Sequence, residues 1–175
     1  MTENIQHVIS GCEKIAGTEY LHRHNQVTKI VHQKLAKKLS LIRDIEPYYK
    51  YDPKTVLSND EHTLYWDRTI QTDKTVVHNR PDLTWIDRKN KTAYFIDVAA
   101  PYNLKKTIDR KLTNYASLAF EFKRLHNLQK VEVIPLILSA TGIIPKCLKG
   151  YLSKIGLPSG MIIEILRLFA GYATF

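Results

Sequence analysis

The sequence predicts an α/β fold in which a mixed central sheet is flanked by helices. Apolar residues recur at helical spacing over 25–39 and 104–125, whereas 131–138 is a near-continuous run of Val, Ile and Leu typical of a buried strand. Further β-prone runs lie between residues 63 and 98. Helical and strand patterns therefore alternate, as expected for a sheet covered by helices. A length of 175 residues with 44% apolar content suits one domain with its own core.

The elements can be placed in chain order. The first helix is predicted over 25–39, because its apolar positions fall on one face: Val27, Ile30, Val31, Leu35 and Leu39. Later patterns predict a strand over 63–71, a hairpin over 82–98, a helix over 104–125, a strand over 131–138, and helices over 144–155 and 161–172.

The predicted hairpin carries two aspartates. Two β-prone runs flank the polar cluster 87–91. If Lys89 and Asn90 form the turn, Asp82 lies opposite Asp97, with Cβ atoms about 4.5–5.5 Å apart. Carboxylates that close repel each other unless a proton or a cation lies between them. Mg²⁺, for which Mn²⁺ can substitute, binds one or two carboxylates together with waters and a phosphate. The pattern therefore predicts a metal-dependent phosphodiesterase site.

A lysine on the following helix is the candidate third group. A rotation of about 100° per residue places Lys111 on the apolar stripe, about 20° from Leu104. Lys106 falls on the opposite side and Lys105 is marginal. A lysine on a buried stripe is unusual unless it is paired or functional, so we expect Lys111 to point toward the aspartates. The alternative is a lysine whose stem packs at the edge of the stripe while its ammonium lies in water.

The charge of the chain indicates a polyanionic partner. There are 26 Lys and Arg against 17 Asp and Glu, a net charge of +9, and nucleic acid is the commonest such partner. General solubility or contact with an anionic membrane surface is the alternative. The candidates for a phosphate-facing patch are Lys34, Lys37, Lys38 and Arg43, although a charged face is often merely solvated. No apolar run reaches the roughly 20 residues needed to span a bilayer.

These residues bring a family resemblance into view. Pro81-Asp82, a hairpin and a second acid after a hydrophobic strand resemble the PD-(D/E)XK nuclease superfamily, which has a restriction-endonuclease-like fold. The lysine expected two residues after Asp97 is absent, since Ala99 stands there; in some members the next helix supplies it, where Lys111 lies. Three further segments are similar, in order, to the endonuclease domain at the C-terminus of site-specific non-LTR retrotransposon polyproteins: 18–27, 64–68 and 79–82.

The resemblance implies a Mg²⁺-dependent endonuclease that nicks duplex target DNA in the nucleus. The resulting 3′-hydroxyl would prime reverse transcription, and the polymerase and zinc-knuckle regions of a longer polyprotein would be partners. Asp82 and Asp97 would bind the metal, with the backbone carbonyl of Val98 as a further ligand. Lys111 would support the nucleophilic water, and Lys105 is the fallback.

The resemblance also implies DNA contacts outside the acidic pair. The triplet Arg23-His24-Asn25 matches a family motif implicated in DNA handling, and Arg80 is a further predicted contact. Arginine suits a phosphate, while His and Asn supply hydrogen bonds at a helix N-terminus whose dipole favours anions. The alternative is a helix-capping cluster with exposed side chains.

The first twenty residues are predicted to be a lead-in to the nuclease-like domain over 21–175. His7 and Cys12 have the spacing of the last two ligands of the family's zinc knuckle, but the two upstream cysteines are missing. Since a tetrahedral site needs four ligands, we expect no structural zinc and interpret 1–20 as the remnant of a truncated knuckle. An incidental His and Cys is the alternative.

Two other functions remain open from the sequence. A catalytically decayed, non-enzymatic DNA-binding module is favoured by the missing lysine after Asp97. An RNA-binding accessory domain is the third hypothesis. The tyrosines at 48, 49 and 51 fit either stacking on unwound DNA or packing at the rim of the core.

Overall fold

The computed structural model describes residues 21–101, 103–139 and 143–171. This part of the chain contains four helices: α1 (Leu21–Lys38), α2 (Leu104–Leu125), α3 (Cys147–Lys154) and α4 (Met161–Gly171). It also contains five strands: β1 (Val56–Ser58), β2 (His62–Trp66), β3 (Leu83–Asp87), β4 (Thr92–Ala99) and β5 (Lys130–Ile137). The predicted knuckle remnant over 1–20, with His7 and Cys12, lies outside the described residues.

The five strands form one mixed sheet in chain order. The pairs β1–β2, β2–β3 and β3–β4 are antiparallel. Strands β4 and β5 are parallel and are connected through α2. Parallel neighbours need such a crossover because a tight turn can only join antiparallel strands. Leu83 pairs with Ile96, so the register that a Lys89-Asn90 turn predicts is confirmed. The predicted fold class, an α/β fold with a mixed central sheet flanked by helices, is also confirmed.

The sheet is covered on both faces. Ile96 and Val98 of β4 belong to a core shared with α1, α3 and α4. Ala93 and Phe95 alternate with them and belong to a second core, formed with α2. Because side chains alternate along a strand, Asp97 lies on the same face as Phe95 and is directed toward α2. This alternation brings an acidic side chain of β4 to the helix that carries Lys111.

Element boundaries differ from the prediction where local backbone geometry intervenes. Strand β2 ends at Trp66 rather than at residue 71, because Asp67 adopts a left-handed conformation with φ of 44° that breaks the extended chain. Helix α1 begins four residues earlier than predicted, and α3 begins only at Cys147. The short strand β1 has no clear sequence pattern and was not predicted.

No helix in the described part of the chain combines the length and the apolar character needed to cross a bilayer.

Candidate active site

Asp82 closes the end of the hairpin. Strand β3 begins at Leu83, two residues short of the level of Val98, so the N–H of Val98 has no strand carbonyl opposite it. Oδ2 of Asp82 takes that place and accepts the Val98 N–H at 2.7 Å. The same oxygen accepts Nε2 of His24 at 3.0 Å. Oδ1 of Asp82 accepts no hydrogen bond from the described residues, which leaves it available to a ligand.

Asp97 is buried, with 2% of its surface exposed, and is held by two side chains of α2. The hydroxyl of Tyr115 donates to Oδ1 at 2.8 Å, and the ammonium of Lys111 forms an ion pair with Oδ2. Lys111 and Tyr115 are four residues apart, so they lie one above the other on the same helix face. The predicted direction of Lys111 is therefore confirmed. Its catalytic role stays a prediction.

The two carboxyl groups influence each other electrostatically. Burial raises the pKa of Asp97, and the charge of Asp82 raises that pKa further. Lys111 and Tyr115 act in the opposite direction but do not cancel the effect. The net upward direction indicates that a negative charge on Asp97 is incompletely compensated by the protein alone. A cation bound between the acids would lower this pKa and relieve the repulsion.

His24 brings α1 to the acidic pair. Its Nε2 contacts Asp82, and its Nδ1 lies 3.1 Å from Oδ1 of Asn25, so both ring nitrogens face acceptor oxygens. Burial alone lowers the pKa of His24, but the hydrogen bond and the charge of Asp82 outweigh it, with help from Asn25 and Asp97. The pKa is therefore raised, which favours the imidazolium with its two N–H donors.

The structure shows side-chain contacts for two residues of the predicted DNA-handling triplet, His24 and Asn25. His24 and Asn25 are half-buried and hydrogen-bonded to each other and to the acidic site, so the alternative of an exposed capping cluster is wrong for these two residues. Arg23 is also half-buried and lies in the same first turn of α1. DNA binding by the three residues stays a prediction.

A cleft of about 340 Å³ opens beside Asp82. Its lining comprises Leu21, His24, Asn25, Thr28, Trp66, Asp67, Arg80 and Asp82. Arg80 forms two parallel hydrogen bonds with Asp67, from Nε to Oδ1 at 2.8 Å and from Nη2 to Oδ2 at 2.7 Å. Two predicted DNA contacts, Asn25 and Arg80, therefore line one concave surface next to the acidic pair.

The predicted lysine patch lies away from this cleft. At about 1.5 Å per residue, Lys34 is about 15 Å and Lys38 about 21 Å from His24 along α1. Lys34 pairs with Glu164 at 3.0 Å, and Lys37 donates to the carbonyl of Arg43. Lys38 donates to the carbonyl of Ile155 at 2.8 Å and lies 5.0 Å from the centre of the Trp85 ring. Lys38 therefore has a packing role, and contact between this patch and DNA stays a prediction.

The predicted roles of two other site residues, Lys105 and Val98, stay predictions. Lys105 is exposed and forms no hydrogen bond or ion pair with the described residues, so the structure does not direct it to the acids. Val98 contacts Asp82 through its N–H, whereas the prediction concerned its carbonyl. Tyr115 was not among the predicted site residues. A signal for its role was present, because a buried tyrosine hydroxyl usually finds a hydrogen-bond partner.

The donor set fits a hard divalent cation. Two carboxylates with an unused oxygen on Asp82 and an incompletely compensated charge on Asp97 supply the oxygen ligands that Mg²⁺ or Mn²⁺ prefers. The described residues contain no group of three or more His, Cys, Asp and Glu side chains arranged to hold a metal. Mg²⁺ does not require one, because it retains waters and binds substrate phosphates.

No protein-family model matches this chain, and no curated protein matches it. The resemblance to a retrotransposon endonuclease therefore stays a prediction, and function is argued from the site.

Proposed function

We propose that this chain is a metal-dependent DNA endonuclease that cuts one phosphodiester bond beside Asp82 and Asp97. The observation that carries the proposal is the meeting of two strand-end carboxylates with a lysine ammonium in a chain of net charge +9. By its resemblance, we further propose that it is the nicking domain of a non-LTR retrotransposon acting on duplex DNA in the nucleus.

Each side chain of the site has a distinct task in the proposed reaction. Asp82 and Asp97 would hold Mg²⁺ or Mn²⁺, which when bound polarises the phosphate and increases the acidity of a water. Lys111 would stabilise the negative charge that grows on the phosphate oxygens, as a preorganised cation in a partly buried site does. His24 and Tyr115 act as positioning residues, since each orients one carboxylate.

The proposed step is a hydrolysis. The water oxygen bonds to phosphorus while the bond between phosphorus and the 3′ oxygen breaks. The products are a 5′-phosphate and a 3′-hydroxyl, and the leaving oxygen ends with a proton. The 3′-hydroxyl would then be available to a polymerase as a primer.

Asp82→Asn tests the proposal. Asparagine keeps an oxygen for the Val98 N–H but loses the charge, so we expect nicking of supercoiled plasmid in Mg²⁺ to fall at least about 10²-fold. DNA affinity measured in EDTA should be nearly unchanged. Asp60→Asn is the matched control, because Asp60 is exposed and its side chain makes no contact with the described residues; it should nick at the parental rate. An Asp82→Asn protein that nicks as fast as the parent sinks the enzyme proposal.

One observation favours a second candidate, a non-enzymatic DNA-binding module. Lys111 already places a positive charge on Oδ2 of Asp97, so the acid has a partner without any metal. A Mn²⁺ titration of the parent and of Asp82→Asn separates the candidates. The nuclease predicts parental Mn²⁺ binding that Asp82→Asn weakens, together with nicking. DNA binding with neither property supports the module.

A further inference from the structure

Of the residues that line the cleft beside the proposed cutting site, the hydrolysis uses only Asp82 and His24. We propose that the cleft between the start of α1 and the end of β2 receives a single unpaired base of the DNA substrate, adjoining the bond that is cut. The inference rests on the proposed function for the position of the cut. It adds to that function the class of substrate, namely DNA with an unstacked nucleotide.

The size of the cleft argues for one nucleotide. Its volume of about 340 Å³ lies at the lower end of the range of small-ligand pockets, about 300–1,000 Å³. A concave space of this size cannot admit a segment of duplex. It can admit a base turned out of the stack, which is how enzymes bring a base into a pocket.

One wall of the cleft suits a base. Trp66 and Leu21 contribute apolar surface, and aromatic faces stack with any base because every base has a π-face. His32 packs against Trp66 in a T-shaped arrangement, with ring centres 5.5 Å apart and an interplanar angle of 84°. The aromatic side chain that lines the cleft is therefore held by packing within the protein.

The charges of the cleft indicate a neutral ligand with a phosphate at its rim. Asp67 is paired with Arg80, and Asp82 with His24, so the lining has little net charge. A neutral base fits such a lining better than a phosphate does. Arg80 is 58% exposed at the side chain, and exposed ion pairs are weak, so its guanidinium can exchange Asp67 for a DNA phosphate.

A hydrogen-bond donor in the cleft, Nδ2 of Asn25, has no acceptor among the described residues. The oxygen of the Asn25 amide faces Nδ1 of His24, which fixes the orientation of the amide. Nδ2 of Asn25 then donates to none of the described residues, although a primary amide carries two donors. It is available to a carbonyl or ring nitrogen on the edge of a base, the kind of contact by which extruded bases are recognised.

The experiment compares two duplexes of identical sequence context in EDTA, one fully paired and one with a single unpaired base. We expect the parent to bind the second about tenfold more tightly, because an unpaired base does not have to be extracted from the stack. Asn25→Ala and Trp66→Leu should reduce that ratio to near one, because the affinity for the duplex with the unpaired base falls more than the affinity for the paired duplex. Trp66→Phe keeps an aromatic face and should retain most of the preference.

Controls separate a binding role from a folding role. Gln71→Ala alters an exposed polar side chain that lines a different cleft, beside Phe122 and His126, and should keep the parental ratio. Thermal unfolding of each variant identifies any variant that is merely destabilised. If Trp66→Leu does not fold, Asn25→Ala and Trp66→Phe still test whether the cleft binds the unpaired base.

Equal binding of both duplexes by the parent overturns the inference, as does a preference that survives in Asn25→Ala and in a folded Trp66→Leu. A loss of preference in Gln71→Ala equal to that in Asn25→Ala also overturns it. Because these measurements are made without metal, they are independent of nicking. Unchanged nicking by Asp82→Asn would contradict the proposed nuclease function but would not contradict base binding in the cleft.

Discussion

At the scale of single residues, Asp97 shows how the site depends on compensation of charge. The Asp97 side chain is almost fully buried. The negative charge of Asp82 raises the pKa of Asp97, whereas the positive charge of Lys111 lowers it. An uncompensated buried carboxylate is costly, so the ion pair with Lys111 maintains an acid where the core would otherwise favour an apolar residue. In the proposed reaction the same ammonium would also stabilise the negative charge that grows on the phosphate.

Replacement of Lys111 by alanine should therefore affect both catalysis and stability. We expect single-turnover nicking to fall about 10²–10³-fold, because the cation that stabilises the reacting phosphate is lost. The free energy of unfolding should also fall by about 1–3 kcal/mol, because Asp97 loses a charged partner. Urea unfolding monitored by circular dichroism measures the second effect.

Lys105→Ala is the matched control for this prediction. Lys105 lies on the same helix but is exposed and unpaired among the described residues, so stability should change by no more than about 0.5 kcal/mol. Its nicking rate should equal that of the parent. If instead Lys105→Ala loses nicking and Lys111→Ala retains it, the assignment of the lysine is wrong.

At the scale of elements, α1 serves the site with its first turn and the core with its middle. His32 is fully buried two turns after His24, and its Nδ1 lies 2.8 Å from the hydroxyl of Tyr51. Burial lowers the pKa of His32 to about 4. Tyr51 is buried as well, and burial raises its pKa to about 12, which assigns this tyrosine to packing; Tyr49, 66% exposed, remains a candidate for stacking on DNA.

The low pKa of His32 predicts acid sensitivity of the fold. The folded pKa lies below the value of about 6.5 for an unfolded histidine, so the unfolded chain binds the proton more readily. The contribution of neutral His32 to the free energy of unfolding is fully present above pH 6.5. It is lost as the pH falls toward 4, at up to about 1.4 kcal/mol per unit of pH. Urea unfolding at pH 7, 6 and 5 should show this slope, and His32→Asn should show a shallower one.

His78→Asn provides the comparison, because His78 is exposed and makes no contact with the described residues. Its pH dependence should parallel that of the parent, because this substitution leaves the buried His32 in place. Parallel curves for the parent and His32→Asn would show that His32 does not titrate in this range.

The elements were predicted well where their patterns are local. The bounds of α2 agree with the prediction because apolar residues recur at helical spacing along its whole length and Asn103 caps the first turn, accepting the Lys106 N–H at 3.0 Å. Strand β2 was predicted five residues too long, because the left-handed turn at Asp67 has no apolar signature. Strand β1 is only three residues long and is stabilised by pairing with β2 rather than by its own composition.

At the scale of the whole molecule, the positive charge is spread beyond the acidic site. The lysines near the end of α1 lie about 15–21 Å from His24 along the helix axis, a distance equivalent to several base pairs of duplex. Contacts with flanking phosphates would orient the DNA without reading its sequence. The net charge of +9 then acts mainly on affinity.

Affinity for duplex DNA should depend steeply on salt. If about four phosphates are neutralised, the logarithm of the binding constant falls with a slope near −4 against the logarithm of salt concentration, and affinity drops about 10²-fold between 50 and 200 mM salt. Fluorescence anisotropy in EDTA measures this slope. Lys34→Ala should reduce its magnitude by about one if Lys34 contacts a phosphate. A slope near zero would contradict nucleic acid as the partner.

The sequence by itself determined what depends on neighbours along the chain. The alternation of apolar residues and the polar turn specified the register that places Asp82 at the level of Asp97, and helical spacing identified Lys111. Only the tertiary structure decided that α1 delivers His24 to Asp82, 58 positions away, and that a cleft forms between them. The physical reason is that periodicity records which face of an element is buried, whereas the packing of distant elements decides which side chains meet there.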